Sequence, residues 1–181
     1  MKKFVLLLIS LLIVVNCAMA VPKVIDLDKE NNPKAAEILF KFIVKENEWL
    51  QNDPKMIKKV RLSEQATQAQ FVDLNDDGIN EIIGFTYSAL YYGLVGESLF
   101  IIQKTKDGYK DIDYIINFQP HKIVVLDSKT NGWRDIQITA NAMDGFTIIG
   151  NKKYKLKYNG EVYLNSSFIK QLENVMENAN N

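Results

Sequence analysis

"KIVVLDSKTNGWRDIQITA", residues 122–140, places two apolar-rich runs on either side of Asn131-Gly132. Asn and Gly both accept the positive φ that a two-residue hairpin loop demands, so the runs are expected to pair antiparallel. The same punctuation recurs at Asp107-Gly108, Asp144-Gly145 and Asn159-Gly160. Working outward from these turns, the expected strands are "AQFVDL", "INEIIGFTYS", "ESLFIIQK", "YKDIDYIINF", "KIVVLDS", "WRDIQITA", "FTIIG", "KKYKLKY" and "EVYL". Consecutive hairpins make a meander. Strict alternation in "NGWRDI" allows only one of Trp133 and Ile136 into the core. Arg134 and Asp135 are expected to form a surface pair, which usually contributes little.

Upstream, the period changes. Residues 33–50, "PKAAEILFKFIVKENEWL", carry Ala36, Leu39, Phe40, Ile43 and Leu50 at helical spacing. Asn32 is placed to cap this helix, and Pro33 sits where a missing N–H costs nothing. Asp53-Pro54 marks a break, and Trp49 reads as a packing residue with an exposed binding aromatic as the alternative. The tail, "NSSFIKQLENVMENANN", reads as a helix capped by Ser166 or Ser167. Asn165-Ser166-Ser167 also fits the N-glycosylation triplet, but capping accounts for the serines. The expected fold class is therefore α+β: an antiparallel β meander, closed as a sandwich or partly open barrel, with an N-terminal helix and a short C-terminal helix.

The chain opens "MKKFVLLLISLLIVVNCAMA". Lys2 and Lys3, the apolar run Phe4 to Val15 and the small-x-small Ala18-Met19-Ala20 follow the grammar of a secretory signal peptide cleaved between Ala20 and Val21. The run is short for a bilayer span, which argues against an uncleaved anchor. Cys17, the only cysteine, offers a second route as the lipidated N-terminus of a lipoprotein, although Asn16 is a poor neighbour for that processing. Cleavage after Ala20 would leave a single domain over 21–181 without a cysteine, so that no disulfide could brace it. With Lys2 and Lys3 removed, twenty basic and twenty-two acidic residues remain, a net charge of −2. Nothing there points to nucleic acid, and a membrane partner is expected only if Cys17 is lipidated. The expected location is periplasmic or secreted.

"FVDLNDDGINEIIG", residues 71–84, crowds Asp73, Asn75, Asp76, Asp77 and Glu81 between two apolar runs. Counting from Asp73, oxygens fall at positions 1, 3 and 5 (Asp73, Asn75, Asp77), Gly78 stands at 6 and Glu81 at 9. Such oxygens curl around one point if the chain turns sharply at the glycine, with the carbonyl of Ile79 and the carboxylate of Glu81 completing the ring. An all-oxygen set of irregular geometry suits Ca²⁺, which takes ligands at about 2.3–2.6 Å; Zn²⁺ would want His or Cys. This is not an EF-hand, because position 12 is Gly84 and the flanks are strand-like. Asp76 is expected to point to solvent. The competing reading is a polar hairpin turn, which explains Gly78 but not the spaced Glu81.

"DLNDDGINEIIG" resembles the DxDxDG calcium loop of FG-GAP and VCBS-type repeats, where such a loop joins two strands. The resemblance implies Asp73, Asn75, Asp77, Glu81 and the Ile79 carbonyl as Ca²⁺ ligands. With "SLFIIQK", "TNGWRDI" and "LKYNGEVY" following in order, residues 68–164 are similar to small exported bacterial proteins of uncharacterised function carrying a single such loop. One copy excludes a propeller of repeats. Where that group often has a cysteine pair, this chain reads "YYGLVGE", which rules out a disulfide there.

His121 is the only histidine. With no nucleophile signature such as GxSxG, it reads as a turn residue after Pro120 rather than a catalytic base. Scattered carboxylates are too many to single out a pair, so no catalytic residue is assigned. Tyr91 and Tyr92, beside Gly93 and Gly96, form a candidate contact surface for a protein or glycan of the cell envelope, with ordinary core and rim packing as the alternative. The leading expectation is an exported, calcium-braced binding or inhibitory module; the rival is an envelope hydrolase built from scattered carboxylates.

Overall fold

In the computed structural model, which describes residues 22–91, 97–144 and 147–165, the Asn131-Gly132 turn has φ of 51° and 82°. It joins β5 (Gly108–Thr130) to β6 (Trp133–Asp144) as a tight antiparallel hairpin. The remaining strands are β1 (Lys23–Asp26), β2 (Thr67–Val72), β3 (Glu81–Thr86), β4 (Glu97–Thr105), β7 (Thr147–Tyr158) and β8 (Tyr163–Leu164). Their order is β2-β3-β4-β5-β6-β7-β8, every pairing antiparallel, with β1 added to β5 over Ile25↔Ile123 and its neighbours. This is the expected meander, an open sheet in an α+β fold. Gly145, in the Asp144-Gly145 turn, and the tail from Ser166 lie outside the described residues, as do Cys17, the leader and Tyr92.

Several boundaries differ from those read in the sequence. "YKDIDYIINF" and "KIVVLDS" are one long strand, β5, running through Pro120. The pairing with β6 shifts register between Phe118 and Ile123, and an irregular stretch is where a residue without an N–H does least harm. Likewise residues 147–150 of the expected "FTIIG" and all of "KKYKLKY" belong to β7. Trp133 and Ile136 are both buried, as is Asp135, so strict alternation fails here, opposite a second register shift between Val125 and Lys129 of β5. Asp135 is no surface partner of Arg134: it accepts from Ser128 Oγ and Thr130 Oγ1, each at 2.7 Å, and pairs with Lys155.

The helix expected over 33–50 stops at Glu46. In α1 (Pro33–Glu46), Asn32 Oδ1 caps the start by accepting from Lys34 N and Ala35 N. At the other end Asn47 leaves the helical region, and its side-chain amide donates to Ile43 O at 2.7 Å. Two short helices follow, α2 (Glu48–Asn52) and α3 (Pro54–Lys59). Trp49 is 41% exposed, so it does not pack as read.

Two apolar clusters result, one on each face of the sheet. One gathers Ile83, Phe85, Leu99, Ile101, Ile123, Ile138 and Tyr154 with Ile25 and Leu27. The other places Ala35, Leu39, Phe42 and Ile43 of α1 on Ala69, Ile82, Phe100 and Ile102. Each of the Ile, Leu and Phe side chains fully buried there contributes about 1.5–3 kcal/mol. Gly84 makes the helix contact possible: a Cβ there would lie 2.4 Å from Gln68 O, 2.6 Å from Ala69 Cβ and 2.7 Å from Leu39 Cδ2.

Candidate functional site

The acidic loop joins β2 to β3, as its flanks predict, and turns where Gly78 takes φ +81°. Its side chains fold back on its own amides. Asp73 Oδ2 accepts from Gly78 N at 3.0 Å, Asn75 Oδ1 from Asp77 N at 3.0 Å, and Asp77 Oδ1 from Ile79 N at 2.7 Å. Asn75 Nδ2 donates to Asp77 Oδ2 at 2.9 Å. Glu81, the first residue of β3, is fully buried, and its Oε2 accepts from Leu74 N at 2.9 Å. The Ile79 side chain is half exposed, outside the turn.

Two oxygens are left over. Asp73 Oδ1 and Glu81 Oε1 are buried without a hydrogen-bond partner. A buried carboxylate oxygen without a donor is costly, and native structures seldom leave one without a reason. Burial pushes the Glu81 carboxyl up to about 7 against the pull of the Leu74 N–H, and the charges of Asp77 and Asp73 raise it further. A cation among these oxygens would relieve both burdens. As the side chains stand, no three His, Cys, Asp or Glu among the described residues are gathered closely enough to hold a metal. The donor chemistry suits calcium, but the loop amides hold the carboxylates apart, and binding would require Asp73, Asp77 and Glu81 to draw in.

Asp76 is exposed, as expected, but it is not free in solvent. At φ +58° it turns across to the β5–β6 hairpin, where Arg134 Nε and Nη2 donate to its two oxygens at 2.9 and 3.1 Å and Lys129 pairs at 2.5 Å. The Arg134 guanidinium, followed by Lys129, holds the carboxyl below its usual range. Arg134 N also donates to Leu74 O at 2.6 Å, and Arg134 O accepts from Tyr163 Oη at 2.8 Å. One arginine thus ties the β2–β3 loop to β6 and, through Tyr163, to β8. The sequence offered no sign of it, because 58 residues separate Asp76 from Arg134.

His121 is not a turn residue. It lies within β5, 4% exposed, with Nδ1 2.8 Å from Asp28 Oδ1 and Nε2 2.8 Å from Glu97 Oε2. Phe85 stacks on the ring at 3.7 Å, and Tyr87 Oη donates to the same Asp28 oxygen at 2.8 Å. Burial disfavours the imidazolium, but the hydrogen bonds to Glu97 and Asp28 outweigh it, so the His121 pKa is raised. With each ring nitrogen facing a carboxylate, the ring acts as a clamp between the β1–α1 turn and β4. Tyr91 is half-buried. Its hydroxyl accepts from Asn47 Nδ2 at 2.8 Å, and its ring meets Phe100 and Tyr114 edge-on at 5.0 and 5.9 Å.

No family model, no curated protein and no solved structure matches this chain. What it does must be read from its own residues.

Proposed function

We propose that this chain is an exported binding module of the bacterial envelope in which the acidic loop takes up Ca²⁺ to fasten the β2–β3 hairpin against the β5–β6 turn. The observation that carries the reading is the pair of buried, unpartnered oxygens, Asp73 Oδ1 and Glu81 Oε1, on a loop whose remaining donors are all oxygens. Asp73, Asn75, Asp77, Glu81 and the Ile79 carbonyl would form the ligand set, as in the DxDxDG loops it resembles. The ion's contribution is charge neutralisation: repulsion among three carboxylates becomes attraction. The protein's own contribution is the second fastening, Asp76 to Arg134, which already holds the loop in place. Export is supported by the Lys2-Lys3 start, the apolar run and Ala18-Met19-Ala20.

Calorimetric titration of chelator-treated protein tests the reading. A single calcium site with Kd on the order of 10⁻⁴–10⁻³ M is expected, the range of extracellular modules, and Asp77→Asn should abolish it. Absence of saturable heat in the wild type, or unaltered binding in the variant, would overturn it.

A further inference from the structure

A helix about 10 Å wide covers roughly two strands spaced 4.8 Å apart. Helix α1 lies over β2, β3 and part of β4, and beyond it the same face continues onto β5. There the pairing is irregular: Ile101 faces Asp113 while Ile102 faces Asp111, so Ile112 is an extra residue in β5. The bulge turns Ile112 and Ile115 into the cluster on the far face. Asp111 and Tyr114 are left on the helix side, opposite Ile102 and Phe100. Between them and the end of α1 lies a cleft of about 340 Å³.

Its walls are aromatic and its rim is acidic. Phe100 lies 5.2 Å from the Tyr114 ring and 5.0 Å from the Tyr91 ring, and Phe42 closes the helix side. Both tyrosines are held in place, Tyr91 Oη by Asn47 Nδ2 at 2.8 Å and Tyr114 Oη by Ser98 Oγ at 2.9 Å. Glu46 from the last turn of α1 and Asp111 from β5 supply two carboxylates. Among the described residues Asp111 has no ion pair, and Glu46 reaches only its exposed neighbour Lys45, at 3.9 Å. Both acids are exposed at the rim of the cleft. The carbonyl end of α1 brings a further partial negative charge to the same place.

Two carboxylates without a close ion pair, a helix C-terminus and rigid π-systems all favour a positive charge that carries its own apolar surface. An inorganic cation would forfeit its hydration against the rings, whereas an alkylated ammonium is weakly hydrated and gains from them. We propose that this cleft binds a small organic cation with an alkylammonium head, the head set against Tyr91, Phe100 and Tyr114 and its charge balanced by Glu46 and Asp111. The volume sits at the small end of ligand pockets and suits a ligand of a few heavy atoms. The cleft shares no residue with the acidic loop, so this site stands or falls independently of calcium.

The test is an NMR titration of the full mature chain, in chelator and at fixed ionic strength, with choline and with its uncharged isostere 3,3-dimethyl-1-butanol. Choline should shift the Tyr91, Tyr114 and Asn47 resonances saturably, and the isostere should bind at least about tenfold more weakly, since only the charged head gains the electrostatic part. Glu46→Gln combined with Asp111→Asn, both at exposed positions and checked for an unchanged fold by circular dichroism, should weaken choline about tenfold while leaving the isostere unaffected. Tyr114→Leu should weaken both ligands. Equal binding of choline and isostere, an unaltered choline affinity in the double variant, or no saturable shift at these residues would overturn the proposal.

Discussion

Replacing Glu81 with Gln separates the burden of the buried carboxylate from its use as a ligand. In the folded chain the Glu81 carboxyl is raised from 4.5 to about 7. A group whose folded pKa is raised contributes its stability in full below the unfolded value, about 4.5, and loses it as the pH climbs through about 7. At pH 7 and without a cation, the linkage relation makes Glu81 a burden of about 3 kcal/mol on folding. Gln keeps an acceptor for Leu74 N–H and removes the charge; its NH₂, where Oε1 had no partner, gives back part of the gain. In excess chelator at about pH 7.5, Glu81→Gln should therefore melt above the wild type by several degrees, since about 1 kcal/mol moves Tm by 2–4 °C in a domain of this size. Calcium at about ten times Kd adds roughly 1.4 kcal/mol to the wild type alone, a rise of about 3–6 °C. Differential scanning calorimetry of both proteins, with calcium and with chelator, reads all four values. Superimposed wild-type scans, or a chelated variant melting below the chelated wild type, would refute the reasoning.

Gly84→Ala should destabilise by about 1–3 kcal/mol in urea denaturation, because the new methyl meets the Gln68 carbonyl and α1 must lift; a change within experimental error would show that the helix is not seated there as described. The His121 ring protons, followed by NMR, should titrate above the ordinary histidine value of 6.5. The sign follows: the clamp stabilises fully below 6.5 and weakens as pH rises through the raised folded value, and a midpoint at or below 6.5 would contradict the two-carboxylate arrangement. His121→Ala should cost about 3–5 kcal/mol, because it strands Glu97, 3% exposed, without its cation. Mass spectrometry of the exported protein should find Val21 at the N-terminus; a lipidated Cys17 or a retained leader would reject that processing.

Much of the architecture was legible because it depends on neighbours along the chain. The Asn131-Gly132 turn, the Asn32 cap with Pro33, the Gly78 turn and the antiparallel order of the meander all rest on contacts spanning a few residues. The spacing of Asp73, Asn75, Asp77 and Glu81 was visible for the same reason. Alternation failed where register shifts, at Trp133 to Ile136 and at Ile112, since a bulge answers to the partner strand and leaves no mark on the local pattern. Helix α1 stops short at Glu46 because Asn47 finds both the Ile43 carbonyl and the distant Tyr91 hydroxyl. Asp76 on Arg134, His121 between Asp28 and Glu97, and the cleft between Glu46 and Asp111 each join residues 24 to 93 positions apart or lying on separate elements. A sequence lists charges without saying which will meet. Only the fold brings the distant segments together, and where it also removes a pair from water, as at His121 and Glu97, each group must be answered by the other.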